Sequence, residues 1–528
     1  MPITHTCRIS WREFTITDED LAFYEKISPI FWWEKFLVPP PTLCPEERLR
    51  RRLSWRGMYH LYRSKCTLTG KDIITVYPPN RPYQAVDQAT WWSDKVENLE
   101  SGKNYNPWMS FMEQYDNLIQ NTPLPCLSNE YATNTNSDFV QGTNYIMDCY
   151  LVFNAAEAEN CEYSESISFS KNCFDSYFIR SSDECYDCIG ITRCYRCVSL
   201  EESEDCRGVD FCYNMKWCHD CLLSYGQVNQ SYLIANVAYT KESYFEERKK
   251  YLTVHGGYDY RRLSDLFESM KRENPIEKII NYGSDNVSGN HLSNCSNVHF
   301  ATDVTDSKNC KYINTIGKWE DVYDCFSWWF TLENAYESMA VWSGASSIIG
   351  CYAVWSHTSR MYYCFSCIWC NDCLWCVWLR NKSFCIFNRQ YSKSEYEELA
   401  KKILQNMIRD GEWGEYPSPS ISPWGYNETM AVDYFPLTKE EALKLGFQWN
   451  DYEPPKPEAT KYIPASRLPE SIEEIPDDIL SWAIECEVSG KYYKITRPEL
   501  EFYRKHHLPI ARKHYDVRRK ERFERRSR

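Results

Sequence analysis

Five cysteines follow one another at a constant spacing of three in the stretch CFSCIWCNDCLWCVW: Cys364, Cys367, Cys370, Cys373 and Cys376. Thiolates in CxxC pairs are the usual half-sites of zinc ribbons and iron–sulfur clusters, so the spacing first suggests metal binding. Five consecutive thiols exceed the four ligands of such a site. A backbone that turns every third side chain to the same place is the competing explanation.

The same period runs through an earlier and longer stretch. Every third residue from Cys149 to Ser224 gives 26 positions without a charged, aromatic, Gly, Pro, Asn or Gln residue, in a chain that is 25% charged. A strand hides alternate residues, and steps of three drift around a helix, so neither common element explains the pattern. A narrow β-solenoid explains it, because a chain that coils around a thin axis turns about one small side chain in three inward.

Turns of twelve residues align like residues in this stretch. The core cysteine ladder predicted in this way is Cys149, Cys161, Cys173, Cys185, Cys197 and Cys221, with Cys364 and Cys376 in a later block. The coil plan is similar to the twelve-residue coils of beetle antifreeze proteins, although the regular Thr-x-Thr columns of that family are absent. The resemblance implies a coiled, mainly β fold and does not imply ice binding.

Three states are open for these thiols. Packed cysteines behave as small hydrophobic groups. Rungs about 4.8 Å apart would also bring thiols within disulfide range, and metal or cluster binding is the third alternative. The period favours packed thiols, because Ser, Ala, Val and Ile occupy the same phase as Cys.

A second cysteine block contains Cys295, Cys310 and Cys325 at intervals of fifteen, in a series that also includes Ile316. This spacing predicts longer turns in the second block, and the phase slips between about residues 330 and 363. The segments that follow the two blocks align at an offset of 152 residues. We therefore predict a duplicated solenoid in which each copy ends in a capping helix.

The chain ends form a second duplication. CRISWREFTITDEDLAFYEK, which begins at Cys7, aligns with CEVSGKYYKITRPELEFYRK, which begins at Cys486, at an offset of 479 residues. In the other duplication, at an offset of 152 residues, Ser392 and Glu395 have the spacing of a capping box at the start of the second capping helix. Both repeats therefore predict helices next to β structure.

The terminal repeats look like treble-clef or zinc-ribbon knuckles, in which two CxxC turns hold one zinc ion. Here the pairs read CRIS with CPEE, CTLT with DQAT, and CEVS with HYDV, so each has lost its second thiol. Fewer than four ligands remain, and we predict metal-free knuckles and no cofactor. The weak metal candidates are Cys7, Cys44, Cys66, Cys486 and His514.

Several longer motifs carry a resemblance to a family. VPPPTLCPEERLRRRL, CTLTGKDII, NRQYSKSEYEE, GYNETMAVDYFPLTKEEALKLGFQW and ELEFYRKHHLPIARK resemble uncharacterised cysteine-repeat proteins encoded by candidate-phylum bacteria. The motifs cover nearly the whole chain. The resemblance implies zinc-ribbon-like ends around a cysteine-repeat middle and implies no particular activity, and this chain departs from the family's zinc pattern at all three knuckles.

Basic residues near the two ends alternate with aromatic ones, in RLRRRLSWRGMYHLYR and RKHYDVRRKERFERR. Arginine contacts phosphates and aromatic rings stack on bases, so this composition predicts an interface for RNA or DNA. The candidate residues are Arg50, Arg51, Arg52, Trp55, Arg56, Tyr59, Arg518, Arg519 and Arg522. The alternative is a helix face whose arginines meet the protein's own acidic solenoid.

Aromatic residues that face outward from the solenoid are either ordinary cover for a thin core or a second candidate surface, for a protein or a glycan partner. They are Trp328, Trp329, Trp369, Trp375 and Trp378. No HExxH, GxSxG or P-loop motif occurs, so we predict no enzyme. The leading hypothesis is a non-enzymatic binding or scaffold protein whose basic ends contact nucleic acid, and the alternative is a purely structural or protein-interaction scaffold.

Composition sets the remaining limits. The 528 residues are 43% hydrophobic and 16% aromatic, which predicts a globular chain, and the net charge of −14 disfavours a protein that coats nucleic acid over its whole surface. No apolar run has transmembrane length, and the start MPITHTCRIS lacks signal-peptide features. We therefore predict a cytoplasmic protein without membrane contact, in which cysteines are free thiols or metal ligands.

The predicted order of domains follows the motifs along the chain. Residues 1–95 form degenerate knuckles, 96–136 a helical linker, 137–228 the first solenoid block, 229–288 a capping helix and crossover, 289–380 the second block, 381–412 its capping helix, 413–480 a Pro-rich extension with a short helix, and 481–528 the last knuckle with its basic tail.

Overall fold

A computed structural model describes residues 2–275, 281–314, 317–326, 330–341 and 344–526 of the chain. The protein is mainly β, with 33% strand, 25% helix and large parallel sheets. Three residues singled out in the sequence, Ile316, Trp328 and Trp329, lie outside the described residues. Within these ranges, no helix is long and apolar enough to cross a membrane.

Eleven α-helices occur in the described residues. Along the sequence they come before, between and after the two long runs of parallel strands. They are α1 (Asp18–Ile27), α2 (Pro45–Leu53), α3 (Gln88–Trp92), α4 (Phe111–Asn121), α5 (Lys241–Arg248), α6 (Tyr260–Glu273), α7 (Lys393–Arg409), α8 (Ala431–Tyr434), α9 (Lys439–Lys444), α10 (Arg497–His506) and α11 (Tyr515–Arg525).

The strands fall into short terminal hairpins and two long runs. They are β1 (Ile3–Thr6), β2 (Glu13–Ile16), β3 (Ile30–Phe31), β4 (Glu34–Lys35), β5 (Tyr62–Lys65), β6 (Asp72–Thr75), β7 (Ala85–Val86), β8 (Leu124–Pro125), β9 (Gln141–Asn144), β10 (Phe153–Glu159), β11 (Glu165–Lys171), β12 (Tyr177–Arg180), β13 (Ile189–Thr192), β14 (Leu200–Glu204), β15 (Arg207–Asp210), β16 (Cys212–Tyr213), β17 (His219–Leu222), β18 (Ser231–Ile234), β19 (Val237–Ala238), β20 (Asn281–Tyr282), β21 (Asp285–Ser293), β22 (Ser296–Thr305), β23 (Lys308–Lys311), β24 (Gly317–Phe326), β25 (Phe330–Met339), β26 (Ala345–Ile349), β27 (Ser359–Tyr362), β28 (Asn371–Leu374), β29 (Ser383–Ile386), β30 (Arg389–Gln390), β31 (Lys461–Pro464), β32 (Trp482–Glu485) and β33 (Tyr492–Tyr493).

The chain forms two compact units, each assembled from two separate segments. Unit 1 contains Met1–Cys126 and Lys278–Tyr452, and unit 2 contains Leu127–Glu277 and Glu453–Ser527. Each unit therefore joins one cysteine-rich block to a segment that carries one of the basic helices.

The parallel sheets of unit 2 repeat every twelve residues. Ile167 of β11 lies opposite Ile179 of β12, and Ile179 lies opposite Ile191 of β13. Seven strands, β9 to β14 and β16, form one sheet, and β15, β17, β18 and β19 form another. All 26 positions at steps of three from Cys149 to Ser224 are buried. The side chains of the predicted inward period thus form the core of this block.

The backbone gives a physical reason for the period of three. From position 145 to position 235, every third residue has a positive φ, between 45° and 66°. Non-glycine residues adopt this left-handed conformation rarely, and for β-branched residues it is an outlier. None of these 31 positions contains Val, Ile, Thr or Pro. From position 145 to position 223, each left-handed residue directly precedes a buried inward side chain, so the chain bends once in every three residues.

The sheet of unit 1 has eleven strands, β20 to β30, and its turns vary in length. Cys310 lies opposite Val322 at an offset of 12, and Val322 lies opposite Ala335 at an offset of 13. The offset of 13 continues through β25, β26 and β27 as far as Met361. Turns longer than twelve residues, as the sequence predicts for the second block, are therefore present from β24 to β27, but the interval of fifteen between Cys310 and Cys325 is one twelve-residue turn plus one step of three.

Both sheets end in the same way. An antiparallel pair, β18 with β19 in unit 2 and β29 with β30 in unit 1, follows the last parallel strand. A helix comes next, α5 in unit 2 and α7 in unit 1. Helix α7 begins with the predicted capping box, in which the Ser392 hydroxyl accepts from the amide of Glu395 and the Glu395 carboxylate accepts from the amide of Ser392.

Candidate functional sites

The first basic segment forms helix α2 of unit 1. Cys44 is its N-cap and Pro45 is its first residue, a position at which the missing N–H costs no hydrogen bond. Acidic residues occupy the first turn and arginines the last turn, in the order that the helix dipole favours. The run of arginines thus results in part from local helix stability.

Two arginines of α2 bind carboxylates of the parallel sheet in the interior of unit 1. Nη2 of Arg48 lies 2.8 Å from Oδ2 of Asp324, and Nη1 of Arg52 lies 2.7 Å from Oε2 of Glu337. Arg52 also lies 3.3 Å from Oδ1 of Asp324. The guanidinium of Arg48 covers the ring of Tyr312 at 5.2 Å. All four charged side chains are at most 4% exposed, so they form a buried cluster with balanced charge.

The charged side chains of this cluster shift one another's pKa values. Burial alone would lower the pKa of Arg48, but the adjacent Asp324 raises it well above its usual value. Burial raises the pKa of Glu337 to about 7, against the opposing effect of Arg52. Removing one member would leave an uncompensated buried charge, which costs about 3–5 kcal/mol.

The other nucleic-acid candidates of this segment also have contacts within unit 1. Arg50 donates to Glu47 at 2.8 Å, and Arg51 donates to Glu415 at 2.7 Å. The three remaining candidates, Trp55, Arg56 and Tyr59, are buried. This segment is therefore part of the core of its unit rather than a free basic face.

The second basic segment forms helix α11 of unit 2 and repeats the arrangement. Nη1 of Arg522 lies 2.7 Å from Oδ1 of Asp175, and Arg518 pairs with the other oxygen of the same carboxylate. Arg518 also covers the ring of Tyr163 at 4.4 Å and lies 3.3 Å from Glu499. Burial alone would lower the pKa of Arg518, but Asp175 and Glu499 raise it well above its usual value.

Later arginines of α11 continue along the same row of carboxylates. Nη2 of Arg525 lies 2.5 Å from Oδ1 of Asp187, which is twelve residues after Asp175 and therefore on the next turn. Arg519, the remaining nucleic-acid candidate, is half-buried. The helix thus runs along a row of acidic side chains that its arginines neutralise.

These contacts correct the expectation that the basic segments are exposed faces. Arg52, Arg518 and Arg522 are buried and already bound to carboxylates, so none could contact a phosphate without breaking its ion pair. The alternative drawn from the sequence, in which the arginines meet the chain's own acidic block, describes these three contacts. Binding of RNA or DNA stays a prediction.

The carboxylates of the two clusters were not identified from the sequence. A signal was nevertheless available, because each follows an aromatic residue in a column of left-handed positions spaced by twelve or thirteen residues. The columns are Tyr163, Asp175 and Asp187 in unit 2, and Tyr312, Asp324 and Glu337 in unit 1. An acidic residue on neighbouring turns at the same column could have been paired with an arginine-rich helix.

The cysteine ladder is part of the packed core. All 26 cysteines are buried and free. The thiol of Cys161 donates to the carbonyl of Glu159 at 3.3 Å, and the hydroxyl of Ser164 donates to the carbonyl of Glu162 at 2.8 Å. Cys and Ser are therefore interchangeable here, because each is small and each finds an acceptor two residues earlier. Burial raises the pKa of the Cys310 thiol to about 12.

The ladder residues named from the sequence are all inward and buried: Cys149, Cys161, Cys173, Cys185, Cys197, Cys221, Cys364 and Cys376. Within the described residues, no group of three or more His, Cys, Asp or Glu side chains is arranged to hold a metal ion. The thiols are thus placed for packing and for hydrogen bonds to the backbone.

Three turns that begin at Cys7, Cys66 and Cys486, here called the cysteine turns, share one backbone geometry. In each, the cysteine amide donates to the carbonyl five residues later, at 2.9, 2.8 and 2.9 Å. The residue four positions after the cysteine has a positive φ in all three: Trp11, Gly70 and Gly490. The three segments therefore fold alike although their sequences differ.

Each cysteine turn meets the start of a helix, at the residue with which the broken CxxC pattern pairs it. Cys44, Asp87 and His514 are the N-caps of α2, α3 and α11. Ser10 Oγ lies 3.5 Å from Cys44 Sγ, and Cys66 Sγ lies 3.2 Å from Asp87 Oδ2. The weak metal candidates are thus brought together in pairs.

Donor groups surround the sulfur atoms of these turns. Burial raises the pKa of Cys7, but the amide of Cys44 and the hydroxyl of Ser10 outweigh it and lower the pKa to about 7. Burial likewise opposes ionisation of Cys486, and the groups of Ser489 with the amide of His514 lower its pKa. The turns keep N–H groups directed at sulfur although the second thiol of each pair is missing.

Two of the three aromatic candidates that lie within the described residues are covered. Trp375 contacts Tyr115 of α4, with ring centroids 4.6 Å apart, and Trp378 contacts Trp91 of α3 at 5.1 Å. Both are buried, whereas Trp369 is 49% exposed. Trp375 and Trp378 are therefore cover for the second block, and the predicted aromatic face for a protein partner is reduced at those two positions.

Comparison with known proteins adds little to this geometry. No family model matches the chain, and no curated protein matches it. A solved structure described as a "putative acetyltransferase" from Desulfovibrio desulfuricans G20 is 10% identical and covers 54% of this chain and 86% of its own, with a TM-score of 0.12. A likeness of this size carries no argument about fold or activity.

Proposed function

We propose that this protein is a non-enzymatic scaffold composed of two β-solenoid units with zinc-ribbon-like ends. The observation that carries the proposal is the same in both units. The arginine-rich helix is bound by carboxylates of its own parallel sheet, through Arg52 with Glu337 and Arg522 with Asp175. Basic segments used in this way stabilise the scaffold and are not available as a phosphate-binding groove.

The solenoid interpretation rests on the register of the sheets. Parallel strands pair with partners eleven to thirteen residues away, a left-handed residue recurs at every third position of the first block, and small side chains fill its interior. The antiparallel pairs and helices after each block would close the sheet edge that otherwise presents unpaired backbone groups. A cytoplasmic location, which stays a prediction, suits a chain with 26 free thiols.

The zinc-ribbon-like interpretation of the ends rests on the cysteine turns and their helix partners. Their geometry resembles a metal-binding knuckle, and their side chains supply too few ligands for structural zinc. Elemental analysis after dialysis should therefore find less than one zinc ion per chain. One or more zinc ions per chain would overturn this part of the proposal. Glu47, Asp87 and His514 would then be counted as candidate zinc ligands.

An electrophoretic mobility shift tests the scaffold against the nucleic-acid hypothesis. The full chain is mixed with a labelled single-stranded RNA, and separately with a DNA of the same length, at low and at moderate salt. A scaffold whose arginines are occupied should not retard either probe at either salt concentration. Retardation that weakens steeply with salt would contradict the proposal, since released counterions produce that dependence.

A matched variant decides the case if retardation is seen. Arg50, Arg51 and Arg519 are the less buried candidates, so their replacement by Ser should leave both units folded. If these residues meet phosphates, the slope of log affinity against log salt should flatten by about 0.7 for each lost contact to a single strand. An unchanged slope would assign the retardation to another surface.

A further inference from the structure

A cleft of about 660 Å³ lies in unit 2 between strands β15 and β17 on one side and helices α5 and α10 on the other. Its volume falls in the range of sites for small molecules, about 300–1,000 Å³. The basic and imidazole side chains of its lining are Arg196, Arg207, Arg248, Lys505, His219, His506 and His507. Aromatic rings complete the lining, among them Tyr232, Phe245 and Phe502.

A glycine opens the middle of the cleft. Glu184, Arg196, Gly208, Asp220 and Tyr232 follow one another at intervals of twelve along its floor, with φ of 53°, 53°, 60°, 52° and 59°. The four neighbours adopt the left-handed conformation with side chains, so the backbone does not require glycine at this position. What Gly208 provides is space beside Asp220, since a Cβ there would lie 3.2 Å from its Oδ1.

Unit 1 shows the same position filled. Strands β27 and β28 correspond to β15 and β17 at the offset of 152, which places Arg360 where unit 2 has Gly208 and Asp372 where it has Asp220. The Arg360 guanidinium lies across that carboxylate, with Nε 2.5 Å from Oδ1 and Nη2 2.7 Å from Oδ2. Unit 2 lacks this internal cation and leaves the space open.

Four other residues of the cleft differ from unit 1 in one direction, whereas Asp210, which replaces Tyr362, differs in the opposite one. At the four positions, unit 2 has positive charge, imidazole or an aromatic ring where unit 1 has small, neutral or acidic residues. The substitutions relative to unit 1 are Arg207 for Ser359, His219 for Asn371, Phe245 for Glu397 and Arg248 for Ala400. Four changes of this kind around one opening favour a bound anion with a flat body.

The cations of the cleft are only partly neutralised. Arg196 and Lys505 share Glu184, and Arg248 lies 3.7 Å from Asp210. Arg207 is exposed and covers the ring of Tyr195 at 5.6 Å, and among the described residues it makes no ion pair.

Two further features shape the wall beside α10. Nε2 of His506 is enclosed and has no hydrogen-bond partner in the part of the chain that the structure describes. The loop before α6 packs closely on the end of α10, because a Cβ on Gly257 would lie 2.2 Å from the carbonyl oxygen of His507. The cleft therefore has a firm wall on this side and a polar group that a ligand could satisfy.

From this geometry we infer that the cleft binds a phosphorylated small molecule with a flat ring, of the size of a mononucleotide. Arg207 and Arg248 are suited to the phosphate, because guanidinium forks bind phosphate oxygens in pairs. Phe245 and Tyr232 lie at the same cleft and can stack on a ring. Gly208 leaves room for the ligand where unit 1 keeps an arginine. This inference goes beyond the scaffold role and does not depend on it.

Isothermal titration of the full chain with 5′-AMP and with 5′-UMP tests the inference. We expect saturable binding of one nucleotide per chain for at least one of them. Adenosine and inorganic phosphate should each bind at least about tenfold more weakly than the nucleotide, because each lacks one half of the recognised chemistry. Absence of binding by both nucleotides, or equal affinity for adenosine, would overturn the inference.

Matched variants locate the site. G208R imports the arginine of unit 1 beside Asp220 and should abolish binding, whereas G226R adds the same side chain at another left-handed glycine with open space around it and should bind normally. R207S, which restores the residue of unit 1 at an exposed position, should bind at least about tenfold more weakly and stay folded. Normal binding by both G208R and R207S, or loss of binding by G226R, would show that the ligand is held elsewhere.

Discussion

Unit 1 and unit 2 attach their terminal helices to their parallel sheets through the same kinds of contact. Phe23 of α1 stacks on Tyr323 with ring centroids 3.8 Å apart, and Phe502 of α10 stacks on Phe174 at 4.2 Å. Both helices begin with a threonine N-cap and a capping box. In both units a second helix adds arginines that bind the column of carboxylates on the sheet, two in unit 1 and three in unit 2. The two duplications noted in the sequence therefore form one repeated structural module.

The modules differ at one buried contact between the sheet and the helix that begins with the threonine N-cap, here called the flank. In unit 1, Nζ of Lys311 pairs with Asp20 of α1 at 2.7 Å. In unit 2, the corresponding sheet residue is Glu162, and the helix residue that corresponds to Asp20 is Glu499. The hydroxyl of Thr496 donates to Glu162 at 2.6 Å. An ion pair in one unit is thus replaced by two neighbouring carboxyl groups in the other.

This replacement changes how the second module responds to protons. Burial, together with the nearby negative charge of Glu499, raises the pKa of Glu162 to about 8. Arginine pairs with carboxylates are present in both modules, whereas the flank contains opposite charges in one and like charges in the other. The arginine pairs therefore fix the attachment of the helices in both units, whereas the flank tolerates either opposite or like charges.

The largest effect should come from a charge placed inside the first block. Cys185→Arg buries an unpaired guanidinium, so we expect unit 2 to remain unfolded while unit 1 keeps its own transition. Limited proteolysis and circular dichroism measure this difference between the units. Cys185→Ser is the control, because serines such as Ser164 and Ser176 occupy other inward positions of the same block, and it should fold. A folded C185R with a normal melting curve would disprove inward packing.

Removing one carboxylate from either arginine cluster should have the next largest effect, and it should be similar in both units. Asp324→Ala in unit 1 and Asp175→Ala in unit 2 each leave two buried guanidinium groups short of a partner. We expect each to lower the unfolding free energy of its own unit by about 3–5 kcal/mol in denaturant titrations. Asp148→Ala, at an exposed left-handed position, should change it by less than about 0.5 kcal/mol. A small effect in one unit only would break the equivalence of the modules.

The flank of unit 2 should make its stability depend on pH. The pKa of Glu162 is raised on folding, so its contribution is fully present below the unfolded pKa of about 4.5 and is lost as the pH rises through about 8. The slope from this one group is at most about 1.4 kcal/mol per pH unit. The groups that face it are Glu499, Asp175, Arg518 and the hydroxyl of Thr496.

Two variants test the origin of this slope by thermal melts between pH 5 and pH 9. Glu162→Gln should reduce the loss of stability with rising pH. Glu162→Lys, which introduces the residue of unit 1 opposite Glu499, should stabilise unit 2 most at the alkaline end. An unchanged slope in both variants would assign the pH dependence to other buried carboxyl groups.

The smallest effects should come from the exposed lysines that occupy equivalent positions in the two helices. Lys26 of α1 pairs with Asp321, and Lys505 of α10 pairs with Glu184, with lysine side chains 53% and 58% exposed. Lys26→Ala and Lys505→Ala should each change the unfolding free energy by less than about 1 kcal/mol, because solvent screens such pairs. A larger loss at Lys505 alone would indicate that the cleft in unit 2 depends on this contact.

The inward period was predictable because it depends on local geometry. A residue that must be small and apolar recurs at each third position, and the 26 positions from Cys149 to Ser224 are buried as expected. The thirteen-residue turns of unit 1 were visible in the sequence only as a phase slip between about residues 330 and 363, because one extra residue per turn shifts the phase without changing residue types. The fifteen-residue interval between Cys310 and Cys325 suggested longer turns at a place where the offset is twelve.

Composition alone could not show whether the arginines bind nucleic acid or the protein's own carboxylates. An arginine-rich helix beside aromatic residues suits a phosphate backbone and a row of buried carboxylates equally well. The distinguishing information lies far away in the chain, since Arg52 pairs with Asp324 across 272 residues and Arg518 pairs with Asp175 across 343 residues. The cleft was missed for a related reason, because its opening at Gly208 is visible only when the two blocks are superimposed turn by turn.

The alternation of the two units along the chain has a consequence for folding during synthesis. Within a parallel sheet, each new turn pairs with residues eleven to thirteen positions earlier, so loop closure costs little entropy and the turns can form as they emerge from the ribosome. In unit 1 the arginines of α2 are synthesised before their partner Asp324. In unit 2 the order is reversed, because Asp175 is synthesised 343 residues before Arg518. A nascent chain that stops before α11 would therefore contain both segments of unit 1 and an acidic, uncompensated sheet in unit 2. Completion of the second module therefore depends on the synthesis of α11, which supplies Arg518 and Arg522 for Asp175.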